Sequence, residues 1–317
     1  MDFLQVVLEQ GTPEAPKKEH LFLQFLVNLH NTAHHKHLSL EMFGYNEYTY
    51  FFVACDPDIT KLVEGLIYST FPNCEIRPNK DYTNFYDPKK QHLVGTRAAF
   101  ELSDIYPIKT FEDFELDSLS SLFSVISKMG REDQAWVQIL INPRHEDWQY
   151  HFGRRWKMKL NNIWRRFRLK NYVRLKEKKT FFHEENEAFI HKSEHHPFEM
   201  EVRFGAISSD LESAKNNLTA LAKAFFQFNR TDYNGFVLER IKTGNSFLKE
   251  YQARHLDKPL MVSAHELATL FHFPNSDHVP HVVHMLAKKH EPPKNLPTNS
   301  CLDISLFGKT NYHNTFQ

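Results

Sequence analysis

Three sets of residues in this sequence have types and spacing that could do chemistry: a Gly-Lys-Thr triplet, a group of histidines and a basic segment rich in tryptophan. The triplet is Gly308-Lys309-Thr310. A phosphate-binding loop has the pattern GxxxxGK[ST], in which backbone N–H groups surround the phosphates. Its first glycine would fall at position 303, which is Asp303. The pattern is incomplete, so we expect no nucleotide site and no other cofactor.

The histidines form the second set. The pair His265-Glu266 lacks the second histidine of the HExxH zinc-protease motif, because position 269 is Thr269. Other histidines follow at short intervals: His272, His278, His281, His284 and His290. Imidazoles on one helical face could bind a metal, but Pro280 interrupts the run. We therefore expect surface and packing histidines and no metal, and we keep a metal-dependent hydrolase built on residues 265–290 as a third functional hypothesis.

No other catalytic set is visible in the sequence, which has no GxSxG motif and no kinase motifs. Carboxylates crowd residues 101–117, where they favour the positive end of a helix dipole, and we interpret them as a solvated acidic face. These carboxylates are Glu101, Asp104, Glu112, Asp113, Glu115 and Asp117. We expect that the chain is not an enzyme.

The basic segment is the third set. Residues 154–179 contain twelve Lys or Arg and a single acid, Glu177. Aromatic and aliphatic side chains recur about every four residues from Trp148 to Trp164, which predicts a helix with an apolar stripe and a basic opposite face. Such a helix could bind nucleic-acid phosphates, lie on an anionic membrane, dock on an acidic protein, or pack its stripe onto the body of the protein. The residues we predict to bind an anion are Arg154, Arg155, Lys157, Lys159, Arg165, Arg166, Arg168, Lys170, Trp156 and Trp164.

Bulk properties point to a cytoplasmic protein. The 39 basic and 39 acidic residues cancel, so net charge alone indicates no partner. The three cysteines, Cys55, Cys74 and Cys301, are widely spaced and predict reduced, buried thiols. The longest apolar run, residues 21–29, is too short to span a membrane, and the N-terminus lacks a secretory signal.

The elements that must position these residues follow the order βαββαβ twice, which predicts an α+β fold of two ferredoxin-like units. The predicted elements of the first unit are strands 3–8, 38–43, 48–55 and 74–77, and helices at 14–31 and after Asp56-Pro57-Asp58. Those of the second unit are strands 98–105, 134–141, 198–207 and 236–241, and helices 117–129 and 208–228. Beyond these, Ser263 and Glu266 predict a capping box for a short helix.

These elements divide the chain into three regions. Residues 1–95 form the first unit. Residues 96–245 form the second, with a long helical insertion at 145–195 that carries the basic segment. Residues 246–317 hold the short helix and a mostly irregular C-terminal segment that serves as a linker.

Several phrases of the sequence resemble a known family. They are HLSLEMFG (37–44), YFFVACDPDITKLVEGLIYSTFPNCEI (50–76), DYT (81–83), PIKTFEDF (107–114), EDQAWVQILINP (132–143), SAHELATLFHFPN (263–275), NLPT (295–298) and FGKTNY (307–312). In this order they resemble the N-terminal, non-catalytic α/β region of bacterial ATPases related to type IV secretion and conjugative-coupling proteins. In such proteins a RecA-like motor follows, and its phosphate-binding loop lies beyond the FGKTNY stretch.

The resemblance implies an accessory docking and assembly region of a DNA-translocation or secretion ATPase-like protein, whose motor domain is absent from this chain. Its partners would be proteins of the secretion or conjugation machinery, with DNA or an anionic membrane surface as a second partner of residues 148–179. A homo-oligomer and a location at the inner face of the membrane would fit the same role. The alternative is a non-specific nucleic-acid-binding protein that acts through the basic helix.

Overall fold

The computed structural model describes residues 1–8, 17–33, 36–144, 190, 192–231, 233–274, 282–283, 311–312 and 315–316. Residues Met1–Met285 form one compact unit, and Leu286–Gln317 form a second, smaller one. The described part of the smaller unit is a two-stranded hairpin of β11 (Asn311–Tyr312) and β12 (Thr315–Phe316). The C-terminal segment, predicted to be mostly irregular, thus contains at least this pair of short strands.

The larger unit has an α+β fold, as predicted. Its first elements are β1 (Asp2–Leu8), α1 (Lys18–Thr32), β2 (Leu38–Tyr45), β3 (Tyr48–Cys55), α2 (Thr60–Thr70) and β4 (Cys74–Pro78). Next come β5 (His92–Phe100), α3 (Ser120–Ile126), β6 (Gln134–Pro143), β7 (Pro197–Ser208), α4 (Leu211–Ala224) and β8 (Phe236–Leu238). The last are β9 (Lys242–Thr243), α5 (Asn245–Ala253), β10 (Leu260–Ser263) and α6 (Ala264–Leu270).

All ten of these strands join one antiparallel sheet. Eight of them lie in the order β4-β1-β3-β2-β6-β7-β5-β8, while β10 extends along β7 and β9 along β5. β2 and β6 pair over their whole common length, from Leu38 opposite Ile141 to Tyr45 opposite Gln134. This pairing joins the strands of residues 2–78 to those of residues 92–238 without a gap.

The two faces of the sheet have different covers. Side chains alternate along each strand, so Phe51 and Val53 of β3 enter the main core while Phe52 and Ala54 face the other side. The main core is closed by the apolar stripes of α1, α2, α3, α4 and α6. Among the described elements, α5 and a 3-10 helix at Tyr82–Phe85 provide the apolar cover of the opposite face, which we call the second face.

Several local predictions are confirmed. The capping box closes the N-terminus of α6: Ser263 Oγ accepts from Glu266 N at 3.2 Å, and Ser263 N donates to Glu266 Oε2 at 2.8 Å. Cys55 and Cys74 are free, buried thiols, whereas Cys301 lies outside the described residues. In the part of the chain that the structure describes, no helix has the length and apolarity needed to cross a bilayer.

Other local predictions were wrong. β5 begins at His92, six residues before the predicted start at Ala98. Polar Thr96 and Arg97 do not fit the apolar pattern of a buried strand, but α5 covers this part of β5 on the second face of the sheet. The helix predicted directly after Asp56-Pro57-Asp58 starts only at Thr60, because a turn comes first, in which Ile59 N donates to Asp56 O at 3.1 Å. α5 was not predicted, because Phe247 and Tyr251 are its only buried side chains.

Candidate functional site

The insertion between β6 and β7, residues 145–191, is the region in which the sequence places the anion-binding residues, and we call it the arm. All ten predicted residues lie between 154 and 170, outside the described residues. Their stripe and basic face therefore stay predictions. The structure does describe the residues on either side of the arm, Arg144 before it and residues 192–196 after it.

The two ends of the arm start from paired strands. β6 and β7 remain in register to their ends, where Pro143 lies opposite Phe198. One further backbone hydrogen bond, from Arg144 N to Pro197 O at 3.1 Å, extends the ladder. The arm thus leaves the sheet and returns to it at one place.

Side-chain contacts hold the outgoing end. Glu199 of β7 accepts from Asn142 Nδ2 at 3.0 Å and forms an ion pair with the Arg144 guanidinium. His30, near the end of α1, places Nε2 2.6 Å from the Arg144 carbonyl oxygen. A carbonyl oxygen only accepts, so Nε2 carries the proton of this contact. The outgoing end is therefore joined to both the sheet and α1.

A buried lysine holds the returning end. Lys192 is 2% exposed, and its ammonium lies 2.8 Å from Asp104 O, 3.3 Å from Met261 O and 3.1 Å from Glu266 Oε2. An ammonium has three N–H donors, so these acceptors satisfy it completely. Glu266 caps α6 at the same time, and its Oε1 accepts from Ile108 N at 3.0 Å.

Imidazoles surround this base of the arm. His195 Nε2 lies 3.0 Å from His265 Nδ1, so one of the two nitrogens must carry the shared proton. The rings of His30 and His196 have centroids 4.5 Å apart. These contacts place His265 in the packing of the arm's base, with Glu112 at 3.6 Å from its Nε2.

A network of charges is buried on the second face. Arg254 donates from Nε to Glu41 Oε1 at 2.7 Å and from Nη1 to Asp81 Oδ2 at 2.6 Å. Burial alone would lower the pKa of Arg254, but the charge of Glu41 and the hydrogen bonds to both carboxylates raise it. Burial would raise the pKa of Asp81, and the Arg254 guanidinium lowers it overall.

A second part of the network joins β5, β7 and the segment after α5. Arg203 lies 2.7 Å from Glu201 and donates to the Glu250 and His255 carbonyls, while Arg97 pairs with Glu201 and Glu250. The three clustered carboxylates are Glu201, Glu250 and Asp257. Guanidinium groups already neutralise them, so this cluster acts as a structural tie between α5 and the sheet.

A third cluster was not predicted by the sequence. His272, just after α6, places Nε2 3.2 Å from Asp117 Oδ1 and 3.9 Å from Glu19 Oε1. Burial would lower the pKa of His272, but the hydrogen bond to Asp117 and the two negative charges raise it. The solvated-face interpretation holds for Glu101, Glu112, Asp113 and Glu115, which are exposed, and is wrong for the side chain of Asp117, which is 2% exposed. No spacing in the sequence links these three residues.

The histidine hypothesis can be examined at two positions. His265 and His272 belong to different clusters, and each has an acidic neighbour far away in sequence. His278, His281, His284 and His290 lie outside the described residues, as does Gly308-Lys309-Thr310. Their predicted roles stay predictions.

Comparison with known proteins gives a family and no activity. No curated protein matches the chain. The family described as "Domain of unknown function (DUF8128)" matches residues 20–283, which is most of the chain and nearly all of the larger unit. The matched range runs from within α1 to just past the bridge that Val282 makes with Thr49. It includes the base of the arm, the first two charged clusters, and His272 and Asp117 of the third; Glu19 lies one residue before it. The chain therefore belongs to the DUF8128 family.

Proposed function

We propose that this chain is a non-catalytic docking and assembly module of a DNA-translocation or type IV secretion ATPase-like protein, and that it acts by holding the arm on a rigid sheet. The observation that carries the proposal is the base of the arm, where Pro143 and Phe198 are paired and Arg144 and Lys192 are anchored. A long insertion that leaves and returns between paired central strands is presented at one fixed position. The resemblance to secretion ATPases supplies the biological setting.

We further infer that the ten-stranded sheet and its helices, which we call the platform, consist of two ferredoxin-like units. The orders β4-β1-β3-β2 and β8-β5-β7-β6 are the same arrangement used twice, and each half follows βαββαβ along the chain. The strand that would be an edge in each unit, β2 or β6, pairs with its counterpart. Joining two edges removes unpaired backbone groups and gives the platform stiffness.

Nucleic acid is the anion that we favour for the arm, because the resembling proteins move DNA. The second face of the sheet is a poor alternative site for stacking bases. Phe3 and Phe52 stack on each other with centroids 4.7 Å apart, and Tyr82 and the Arg254 guanidinium cover them. Stacking on single strands needs exposed aromatic faces, which the buried rings of Phe3 and Phe52 do not offer.

The test compares the wild-type chain with a variant in which Arg154, Arg155, Arg165, Arg166 and Arg168 are changed to Gln. Wild type should bind duplex DNA with a log–log salt slope of about −4.5 if five phosphates are neutralised. The variant should lose this binding. The matched control changes five exposed lysines of the platform to Gln and should bind as wild type. The control lysines are Lys61, Lys80, Lys89, Lys90 and Lys128.

A second measurement replaces the DNA with anionic vesicles. Binding to vesicles and not to DNA would assign the arm to the membrane surface and reject nucleic acid as its ligand. If wild type binds neither at low salt, the arm packs on the body of the protein and the proposed role in anion binding is wrong.

A further inference from the structure

The large sheet has two outer edges, and β4 forms one of them. Among the described strands, β4 pairs with β1 alone. An edge strand presents backbone N–H and C=O groups with which a strand of another molecule can pair, and natural proteins block such edges. The backbone groups that point outward from β4 therefore decide whether the sheet can extend into a second molecule.

The pairing with β1 identifies those outward groups. Asn79 N, directly after β4, donates to Phe3 O of β1 at 2.9 Å, and the register runs without a break through the rest of β4. In an antiparallel pair the direction of the N–H and C=O groups alternates from one residue to the next. The backbone groups of the odd-numbered residues hence point toward β1, and those of Cys74, Ile76 and Pro78 point outward.

The chain itself closes each of the three outward N–H positions. Cys74 N donates to Phe71 O at 3.1 Å in the turn that follows α2, and Pro78 has no N–H. Ile76, at the centre of the strand, donates its N–H to the hydroxyl oxygen of Tyr68 at 3.2 Å. Tyr68 lies near the end of α2 and is 43% exposed. A rotation of this one side chain into water would open the central N–H.

The opposite edge of the sheet is also closed by a side chain. β8 lies at that edge, where Asn229 Oδ1 accepts from Phe236 N at 2.7 Å and Asn229 Nδ2 donates to Phe236 O at 3.4 Å. One side-chain amide thus takes both backbone groups of Phe236. Side chains that block both ends are typical of a sheet that is protected against pairing with further strands.

β4 is complementary to a second copy of itself. When two β4 strands pair antiparallel about a twofold axis at Ile76, the two Ile76 residues exchange both of their backbone hydrogen bonds. Arg77 of each copy then lies opposite Glu75 of the other copy, and opposite charges in directly opposed positions attract. The Arg77 side chain is 53% exposed and already pairs with Glu75 of its own strand at 2.7 Å, so the two residues lie where they can exchange partners.

From this geometry we propose that the β4 edge is a pairing surface for a second copy of this chain, and that the Tyr68 hydroxyl keeps this surface closed. With the hydroxyl in place, pairing breaks one hydrogen bond in each copy before it forms two across the axis, so hydrogen bonding gains nothing. Without the hydroxyl, the Ile76 N–H bonds only to water, and a hydrogen bond within protein has a net advantage over one to water. The inference does not depend on the proposed function of the arm.

The test measures self-association of the full chain by sedimentation equilibrium over a wide range of protein concentration. Tyr68→Phe keeps the ring and removes the hydroxyl. It should raise the dimer association constant at least about 10-fold over wild type, because each dimer gains two hydrogen bonds. Tyr68→Phe/Pro78→Val adds a second outward N–H and should raise the constant further. Tyr45→Phe removes the hydroxyl of another exposed tyrosine, on β2 inside the sheet, and should associate as wild type does.

Charge variants in the Tyr68→Phe background show which surface forms the dimer. Arg77→Glu places glutamates opposite each other across the axis and should return association to the wild-type level. Adding Glu75→Arg to Arg77→Glu brings opposite charges together again and should restore the dimer. Equal association of Tyr68→Phe and wild type, or a Tyr68→Phe dimer that Arg77→Glu leaves unchanged, overturns the proposal.

Discussion

Arg254 shows how strongly single residues of this protein depend on distant partners. It ends α5 in the left-handed region, with φ of 47°, and directs its guanidinium to Glu41, which is fully buried on β2. Ser39 and Gln138 also donate to Glu41. This buried carboxylate is thus paired with a cation 213 positions later in the chain.

Arg254→Met should therefore lower the free energy of unfolding by about 3–5 kcal/mol, because it leaves a buried carboxylate without its cation. Denaturant unfolding followed by circular dichroism measures the loss. The double variant Glu41→Gln/Arg254→Met should recover much of it. Arg77→Met, which breaks an exposed pair with Glu75, is the control and should cost less than about 1 kcal/mol. An equal loss in the two single variants would contradict the argument.

Asp81 makes the free energy of unfolding depend on pH in the acidic range. Its pKa in the folded protein is lowered below the unfolded value of about 3.9. The folded state therefore binds fewer protons, and the stabilisation is fully present above the unfolded pKa and is lost as pH falls through the folded pKa. Asp81→Asn should flatten the fall in unfolding free energy below about pH 4. Asp58→Asn removes an exposed ion pair with Lys36 and should change the slope of unfolding free energy against pH less. Parallel curves of unfolding free energy against pH for wild type and both variants would refute this prediction.

At the scale of elements, α5 is held by close packing against glycine positions of the sheet. A Cβ placed on Gly95 of β5 would lie 2.2 Å from the Phe247 ring, and one on Gly205 of β7 would lie 3.2 Å from it. Phe247 thus occupies the space that these two glycines leave. The same helix carries Glu250 and Tyr251, and it precedes Arg254, so its position sets the whole charged network of the second face.

Gly95→Ala should displace Phe247 and lower the free energy of unfolding by about 1–3 kcal/mol, the usual cost of overfilling a packed core. Gly65→Ala is the matched control. No atom lies within 4 Å of the added methyl group there, and residue 65 is inside α2. That change should raise stability by about 0.5–1 kcal/mol, because alanine loses less entropy in a helix. The packing account fails if both substitutions shift the midpoint in the same direction.

At the scale of the whole molecule, one sheet unites residues from both halves of the chain and carries the arm between its central strands. The Gly-Lys-Thr triplet near the C-terminus lacks the first glycine of a phosphate-binding loop. We therefore expect 5 mM ATP with Mg²⁺, a concentration on the order of that in cells, to leave the melting temperature unchanged, since the sequence pattern that builds a backbone cradle for phosphates is incomplete. Differential scanning fluorimetry measures this directly, and a shift of several degrees would show that a nucleotide site exists.

The sequence by itself determined the order of most elements and their local chemistry. Strands 48–55 and 134–141 were predicted as buried strands, and the capping box of α6 was predicted from Ser263 and Glu266. These features depend on neighbours within a few residues, so their patterns are complete in a short window of sequence. The helix and basic face of the arm are predicted from the same kind of local pattern, and they stay predictions because residues 145–189 lie outside the described residues.

Only the tertiary structure decided which polar residues are buried and which partners they meet. Glu41 follows the alternating pattern of a half-exposed strand, yet it is buried because Arg254 reaches it. Asp117 belongs to an acidic run, and its partner His272 is 155 positions away. The cost of burying a charge depends on the group brought next to it by the fold, and no short stretch of sequence contains both members of such a pair.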